Sequence, residues 1–340
     1  MTQPSLSATV PAGTPSPGGR PARARRVLRA VAVVSCLPYL SLKSAWIAGS
    51  HLGIPAGSPL LEHRAQLAVA NGLTVAMDGA VIVLVLLLTR PWGLRVPAWL
   101  LALPMWTATG LLAPVMTGYP LQLLVGALGG SVNRAADTGR EPFLDEWVFA
   151  VVYTGFIVQG LTLGTLFVLY ARDRWGHLWR GRLRELPASG VGPAQRATAV
   201  AAAVLALVPA GAHLLWACGG TAGLSAGRAA HRTADFHVLE ALDAVFPLSA
   251  VAGAVLLSFR RGPALPVRVP LALAWVGSGA TACWGGWLSL AGLGGSDDLA
   301  GRPTGLMNLT YAGQMIVGLL VITVAAHFLA ERSTRAKRPA

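Results

Sequence analysis

Apolar residues are gathered into eight long stretches that are separated by short polar links. The stretches lie near residues 27–48, 67–89, 98–118, 147–170, 197–218, 237–258, 270–293 and 309–330. A helix of about 20 residues crosses a hydrocarbon core of about 30 Å, and in lipid the backbone must satisfy its own hydrogen bonds. The pattern therefore predicts an all-α integral membrane protein with eight transmembrane helices. A further segment, 120–130, is too short to span, and we expect it at the outer interface or dipping back into the protein.

Composition supports a membrane protein over a soluble one. Hydrophobic residues make up 54% of the chain and charged residues 12%, whereas soluble domains carry about 25% charged residues. The net charge of +13 would suit nucleic acid, but the arginines lie in short links between apolar stretches and form no basic soluble surface. Nucleic acid is therefore excluded as a partner, and the lipid bilayer is indicated.

The positions of the charges predict an orientation. Of the 27 Lys and Arg residues, 20 lie in the two ends and in alternate links, and six lie in the other links. Basic residues stay in the cytoplasm, so both termini are predicted to be cytoplasmic. Arginine outnumbers lysine 25 to 2, a bias typical of GC-rich bacteria, which favours the bacterial plasma membrane. Residues 1–26 are expected to be a disordered basic tail.

Three pairs of segments resemble one another in the same order. Residues 43–53 match 213–223, residues 95–103 match 268–276, and residues 153–174 match 311–332. The matches predict two parallel four-helix repeats, at 27–170 and 197–330, with a cytoplasmic loop at 171–196 and a basic cytoplasmic tail at 331–340. Asp78 can be paired with Asp243, but the helix ends then fall out of step, so the register of the second helices stays open. Such duplication occurs in transporters and equally in scaffolds.

Two ionisable residues lie deep in the first predicted repeat. Lys43 could extend outward along its apolar stem or pair with Asp78, Glu240 or Asp243. Asp78 lies near the middle of the second stretch, where a charge is costly. It could pair with Lys43 or His213, or remain a neutral acid.

The segment "DFHVLEALDAVF" is the densest polar feature. His237, Glu240 and Asp243 follow one another at three-residue spacing, so the first two share a helix face. The face could bind a metal, relay protons, line an outer vestibule or simply end the helix. Because di-iron bundles need a second Glu and His pair and no second copy exists, no metal and no cofactor are predicted.

Trp46 and Trp216 occupy equivalent places in the first matching pair, each followed by glycine at three residues. Tryptophan favours the headgroup level of a bilayer, so both are predicted to be interface anchors. The tandem four-helix pattern with K/H-x-x-W-x-x-G resembles multi-pass membrane proteins of high-GC Gram-positive bacteria over most of residues 27–332. That resemblance implies no activity and no functional residues.

These features lead to one hypothesis for a site. A buried polar cluster is expected where the outer halves of the first, second, fifth and sixth helices meet, formed by Lys43, Asp78, His213, His237, Glu240 and Asp243. It would bind or translocate a small solute or a lipid. The alternatives are a membrane-embedded enzyme for a lipid or isoprenoid, with His237 and Glu240 as acid and base, and a structural subunit without a ligand. No catalytic residue is assigned, since no known catalytic motif is present, and the oligomeric state stays open.

Overall fold

A computed structural model describes residues 19–61, 64–133, 144–186, 192–260, 264–293 and 302–336. Within these ranges the chain is helical and contains no named strand. Eight helices have 26 or more residues: α1 Gly19–Ile47, α2 Arg64–Thr89, α3 Ala98–Ala127, α4 Glu146–Trp175, α5 Gly192–Ala217, α6 Ala234–Phe259, α7 Arg268–Leu293 and α8 Gly305–Ala336. Short helical turns occupy Pro59–Leu61, Pro91–Arg95, Gly176–Trp179, Leu183–Glu185 and Ala226–Ala230.

The long helices coincide with the eight apolar stretches but extend beyond several of them. α1 begins at Gly19, so residues 19–26 are helical although a disordered tail was expected there. The expected loop at 171–196 begins and ends in helix, because α4 reaches Trp175 and α5 starts at Gly192. Residues 1–18, 187–191 and 337–340, which carry parts of the predicted tails and loop, lie outside the described residues.

α3 also extends further than the sequence suggests. It continues through Pro114 and Pro120 to Ala127. Most of residues 120–130 therefore belongs to this helix and not to a separate interfacial segment. Proline is tolerated in membrane helices where neighbouring groups satisfy the backbone that it releases, and for this reason Pro120 was a poor marker of a helix end.

Seven of the described helices are long and apolar enough to cross a membrane. Their outward faces expose large aliphatic side chains, among them Val34, Leu161, Val204, Leu207 and Leu319. Exposed apolar surface on this scale is typical of contact with lipid. The chain is thus an all-helical, multi-pass membrane protein by length and composition.

The helix that does not meet this hydropathy level is α7. It packs against α3, α6 and α8. Beyond Pro270 and Leu271 in its first turn, its buried residues are small or polar: Ala274, Gly277, Ser278, Gly279, Ala280, Thr281, Ala282 and Gly285. Small residues let helix backbones approach closely. A helix enclosed by three others has less need for large apolar side chains, which accounts for its lower hydropathy.

The helices form two groups. In the first half, residues 19–186, α1 packs against α2 and α4, and α3 packs against α4. In the second half, residues 192–336, α6 packs against α5 and α7, and α8 packs against α5 and α7. Among the described residues, the substantial helix contacts between the halves are those of α3 with α6 and α7. Gly110 of α3 lies directly against the backbone of Gly279 at this junction.

The ends of α1 and α5 have the same geometry. The indole N–H of Trp46 donates to the carbonyl oxygen of Leu52 at 2.7 Å, and Trp216 donates to Ala222 at 3.0 Å. Two residues after each helix end lies a glycine in the left-handed region, Gly49 with φ 90° and Gly219 with φ 91°. Glycine takes this conformation without steric cost and so ends many helices. Each tryptophan therefore fastens the loop that follows its helix.

In each half, the loop that follows the first helix is hydrogen-bonded to the residue just before the fourth helix. The backbone N–H of Asp145, just before α4, donates to the carbonyl oxygen of Gly53 at 3.0 Å. In the second half the hydroxyl of Thr304, just before α8, donates to the carbonyl oxygen of Gly223. The start of the fourth helix is thus tied to the loop after the first helix in both halves.

Candidate functional site

The second half holds a buried acid that has two basic partners. Glu240 of α6 is 2% exposed. Its Oε2 accepts a hydrogen bond from Nδ1 of His213 on α5 at 2.6 Å, and its Oε1 accepts one from the guanidinium of Arg228 at 2.7 Å. Both carboxylate oxygens are therefore occupied, one by a buried imidazole and one by a cation.

Arg228 reaches the acid from the short helix Ala226–Ala230. The hydroxyl of Ser225 accepts a hydrogen bond from the backbone N–H of Arg228 at 3.5 Å and so caps this helix. The guanidinium also lies 3.4 Å from the hydroxyl of Tyr311 and over the ring of Phe236. The side chain of Arg228 is 38% exposed, so it connects the buried acid to the protein surface.

The far side of the imidazole meets an amide. Nε2 of Gln314, on α8, donates to Nε2 of His213 at 2.9 Å. The oxygen of that amide, Oε1 of Gln314, is buried and has no hydrogen-bond partner among the described residues.

Asp243 lies one helical turn beyond Glu240. Each of His213, Glu240 and Asp243 offers one ligand atom, and these atoms all lie within 4.8 Å of one another. A metal ion there would compete with the guanidinium already bound to Glu240, and two cations close together repel strongly in a buried site. We therefore assign no metal and no cofactor to this group, which we call the acid cluster: Arg228, His213, Glu240 and Asp243.

Lys43 lies in the first half, away from these acids. Its ammonium donates to Oδ1 of Asn71 on α2 at 2.9 Å. It also lies over the rings of Tyr39 and Trp46, at 5.1 and 4.7 Å from their centroids. Cation–π contacts of this kind stabilise a partly desolvated ammonium. The expected ion pair of Lys43 with Asp78, Glu240 or Asp243 is not formed.

Among the residues that the structure describes, Asp78 meets an amide and no cation. Its Oδ1 accepts a hydrogen bond from Nε2 of Gln159 on α4 at 3.2 Å. Asp78 is 4% exposed and Gln159 is 1% exposed. The expected pairing of Asp78 with Lys43 or His213 does not occur, because α4 covers this face of α2.

The six residues expected in one cluster are thus divided. His213, Glu240 and Asp243 come together, while Lys43 and Asp78 each have separate partners in the first half. The physical reason is the junction between the halves, which is made by α3 and not by α1 and α2. His237 has a third location, since its Nδ1 donates to the carbonyl oxygens of Trp216 and Ala217 at 3.2 and 3.1 Å. The imidazole therefore supplies a donor to carbonyl oxygens that have no partner inside α5 because they lie at its end.

Both tryptophans predicted as interface anchors are packed inside the protein. Trp46 is 7% exposed and Trp216 is 0% exposed. Their indole N–H groups bond to loop carbonyls, as described above. They hold helix ends together and present almost no surface to a headgroup region.

Sequence reasoning missed four residues that complete these sites. Arg228 was counted as a loop charge, and its role depends on the fold of a five-residue helix. Asn71, Gln159 and Gln314 are amides inside apolar stretches. Buried amides within a membrane helix require partners, so each was a detectable signal of a helix contact.

The fold and the acid cluster define a multi-pass, all-helical membrane protein with a buried ionic network next to its surface. No family model, curated protein or solved structure matches the chain.

Proposed function

We propose that the protein is a bacterial plasma-membrane protein that binds and translocates a small solute carrying a positively charged group, through the acid cluster. The observation that carries this proposal is a charge imbalance. The two acids Glu240 and Asp243 share one permanently charged partner among the described residues, Arg228, which binds Glu240 and acts electrostatically on Asp243. The remaining negative charge favours a cationic solute, since an uncompensated buried charge is costly.

Arg228 is the natural point of entry for such a solute. Its side chain is 38% exposed, whereas those of its two neighbours His213 and Glu240 are 3% and 2% exposed. Two surface cavities, of about 370 Å³ by Pro303 and about 270 Å³ by Thr89, are not lined by His213, Glu240 or Asp243. A cationic solute would reach Glu240 by taking the place of the guanidinium.

The membrane arrangement that we propose has eight spans, in two parallel four-helix repeats, with both termini in the cytoplasm. The matched ends of α1 and α5 support the repeat, as do the equal lengths of α2 and α6, 26 residues each, which begin 170 positions apart at Arg64 and Ala234. In that register Asp78 corresponds to Leu248 and not to Asp243. The enclosure of α7 between α6 and α8 supports the eighth span.

Chemical rescue tests the function directly. Arg228→Ala removes the guanidinium and leaves the two acids. Methylguanidinium chloride should then raise the thermal stability of the purified variant, while methylurea, a neutral molecule of similar shape, should not. In proteoliposomes, the variant should also mediate counterflow of labelled methylguanidinium.

Arg232→Ala is the matched control. Arg232 lies in the same loop, but within the described part of the chain it bonds to the backbone carbonyls of Ala229 and Gly219 and to no acid. Its variant should show no response to methylguanidinium beyond that of the wild type. A folded Arg228→Ala protein that neither gains stability nor shows counterflow would favour a structural subunit. An equal rise in thermal stability with methylurea would show that the positive charge of the solute plays no part in its binding.

A further inference from the structure

The first half contains a buried acid with neither a cation nor a full set of hydrogen bonds. Oδ1 of Asp78 accepts a hydrogen bond from Gln159, but Oδ2 is buried and has no partner in the described ranges. Oε1 of Gln159 is also buried and has no partner. Two unsatisfied oxygen atoms thus belong to one hydrogen-bonded pair in the protein interior. Each would cost free energy unless something binds there.

The position of Asp78 along its helix increases the free-energy cost of this unsatisfied carboxyl group. Asp78 lies eleven residues from each end of the apolar span Leu67–Thr89. At 1.5 Å per residue, each end is about 16 Å away, so the carboxyl lies at the middle of the hydrocarbon core. A carboxylate there needs a partner or must be neutralised.

Among the described residues, the groups next to Asp78 carry no positive charge that would balance an ionised carboxyl group. From α1, Cys36 and Tyr39 are close enough to interact electrostatically with Asp78, and both are neutral in their protonated forms. α4 contributes Gln159, and its Tyr153 lies beside Tyr39. Lys43, the cation on the facing helix, is bound to Asn71. Within the described residues no cationic side chain forms an ion pair with Asp78.

We propose that Asp78 and Gln159 form a proton-binding site at the centre of the membrane, in which the carboxyl of Asp78 holds one proton at neutral pH. The ligand is a proton and not a metal cation, because the pair offers three side-chain oxygens, whereas hard metal cations take six or more. The proton on Asp78 replaces the missing counter-charge. Rotation of the Gln159 amide would let its Oε1 accept the acid O–H. This site lies in the other half of the protein from the acid cluster and is independent of the proposed function.

Infrared spectroscopy of the full-length protein tests this proposal, in a maltoside detergent that has no ester carbonyls. A neutral carboxylic acid absorbs at higher frequency than a carboxylate. At pH 7 the wild type should show an acid carbonyl band that is lost in Asp78→Asn. The matched control Asp243→Asn should keep the band. The band should decrease as pH is raised, and Gln159→Leu should shift it to higher frequency, because the carbonyl loses its donor.

Each outcome decides the matter. A spectrum of Asp78→Asn that keeps the whole band would overturn the proposal, as would its loss in Asp243→Asn alone. Replacing choline chloride by sodium chloride at constant ionic strength should leave the band unchanged, whereas its loss in sodium would identify a metal-cation site instead. Asp78→Asn mimics the neutral acid, so its melting temperature at pH 7 should equal that of the wild type. A marked fall would show that the ionised carboxylate is needed.

Discussion

Glu240 and Arg228 form an ion pair that joins the interior of the protein to its surface, with 2.7 Å between Oε1 and the guanidinium nitrogen. The acid is 2% exposed and the arginine 38% exposed. Glu240 is therefore shielded from solvent, whereas Arg228 is partly solvated. Such a pair contributes to stability mainly through the buried member, whose hydrogen bonds have no solvent to replace them.

Glu240→Gln should destabilise the second half. The amide presents one oxygen and one NH2 group where the carboxylate presented two acceptor oxygens, so either His213 or Arg228 faces a donor. An unsatisfied buried donor costs about 1–3 kcal/mol, and we expect a loss of that size in unfolding experiments in bicelles. Arg232→Gln, which removes no contact with an acid, should stay within about 0.5 kcal/mol of the wild type. An equal loss in both variants would contradict a special role for Glu240.

The two loop-fastening tryptophans should contribute separately. Trp46→Phe and Trp216→Phe each remove one indole N–H that donates to a loop carbonyl. Each should cost about 1 kcal/mol, and the double variant should lose the sum, because distant sites are additive. Trp99→Phe is the control, since Trp99 is 68% exposed, and it should have little effect. A double variant no weaker than either single one would mean that the two ends are coupled.

The junction between the halves should be sensitive to a single methyl group. A Cβ at Gly110 would clash with the carbonyl oxygen of Gly279. Gly110→Ala should therefore destabilise the protein by about 1–3 kcal/mol, although alanine is the better helix former.

Gly286→Ala, on α7, provides the control for that substitution. Its Cβ would lie 3.9 Å from Met315, an ordinary contact. Thermal unfolding followed by circular dichroism should show stability equal to or slightly above that of the wild type. If Gly110→Ala behaves in the same way, α3 and α7 are not in close contact.

The number of spans has a simple test in the position of the C-terminus. If α7 crosses the membrane, a reporter fused after Ala264 and one fused after Ala340 lie on the same, cytoplasmic side. Green fluorescent protein should then fluoresce at both positions, and alkaline phosphatase should be inactive at both. With only seven spans the C-terminal fusion would show the opposite pattern.

The apolar stretches predicted the helices well because a run of about 20 apolar residues has few alternatives in lipid. The ends were predicted less well, since Arg-rich residues 19–26 and Pro120 normally mark tails and turns but are helical here. His213 and Glu240 could be singled out as charges in apolar stretches. Their partnership, and the separation of Lys43 from the acids, depend on which helices are neighbours, and local sequence does not contain that information.

The position of α3 at the junction has a consequence for biogenesis. Its Gly110 face is synthesised well before α7, so during translation it must reside in lipid or against the insertion machinery with no native partner. The first half can close its own loop contacts in that interval, because the bonds of Trp46 and Asp145 are internal to it. Assembly then resembles the docking of two preformed bodies. Residues 1–189 and 190–340, expressed as separate fragments, are therefore expected to associate through the contacts of α3 with α6 and α7.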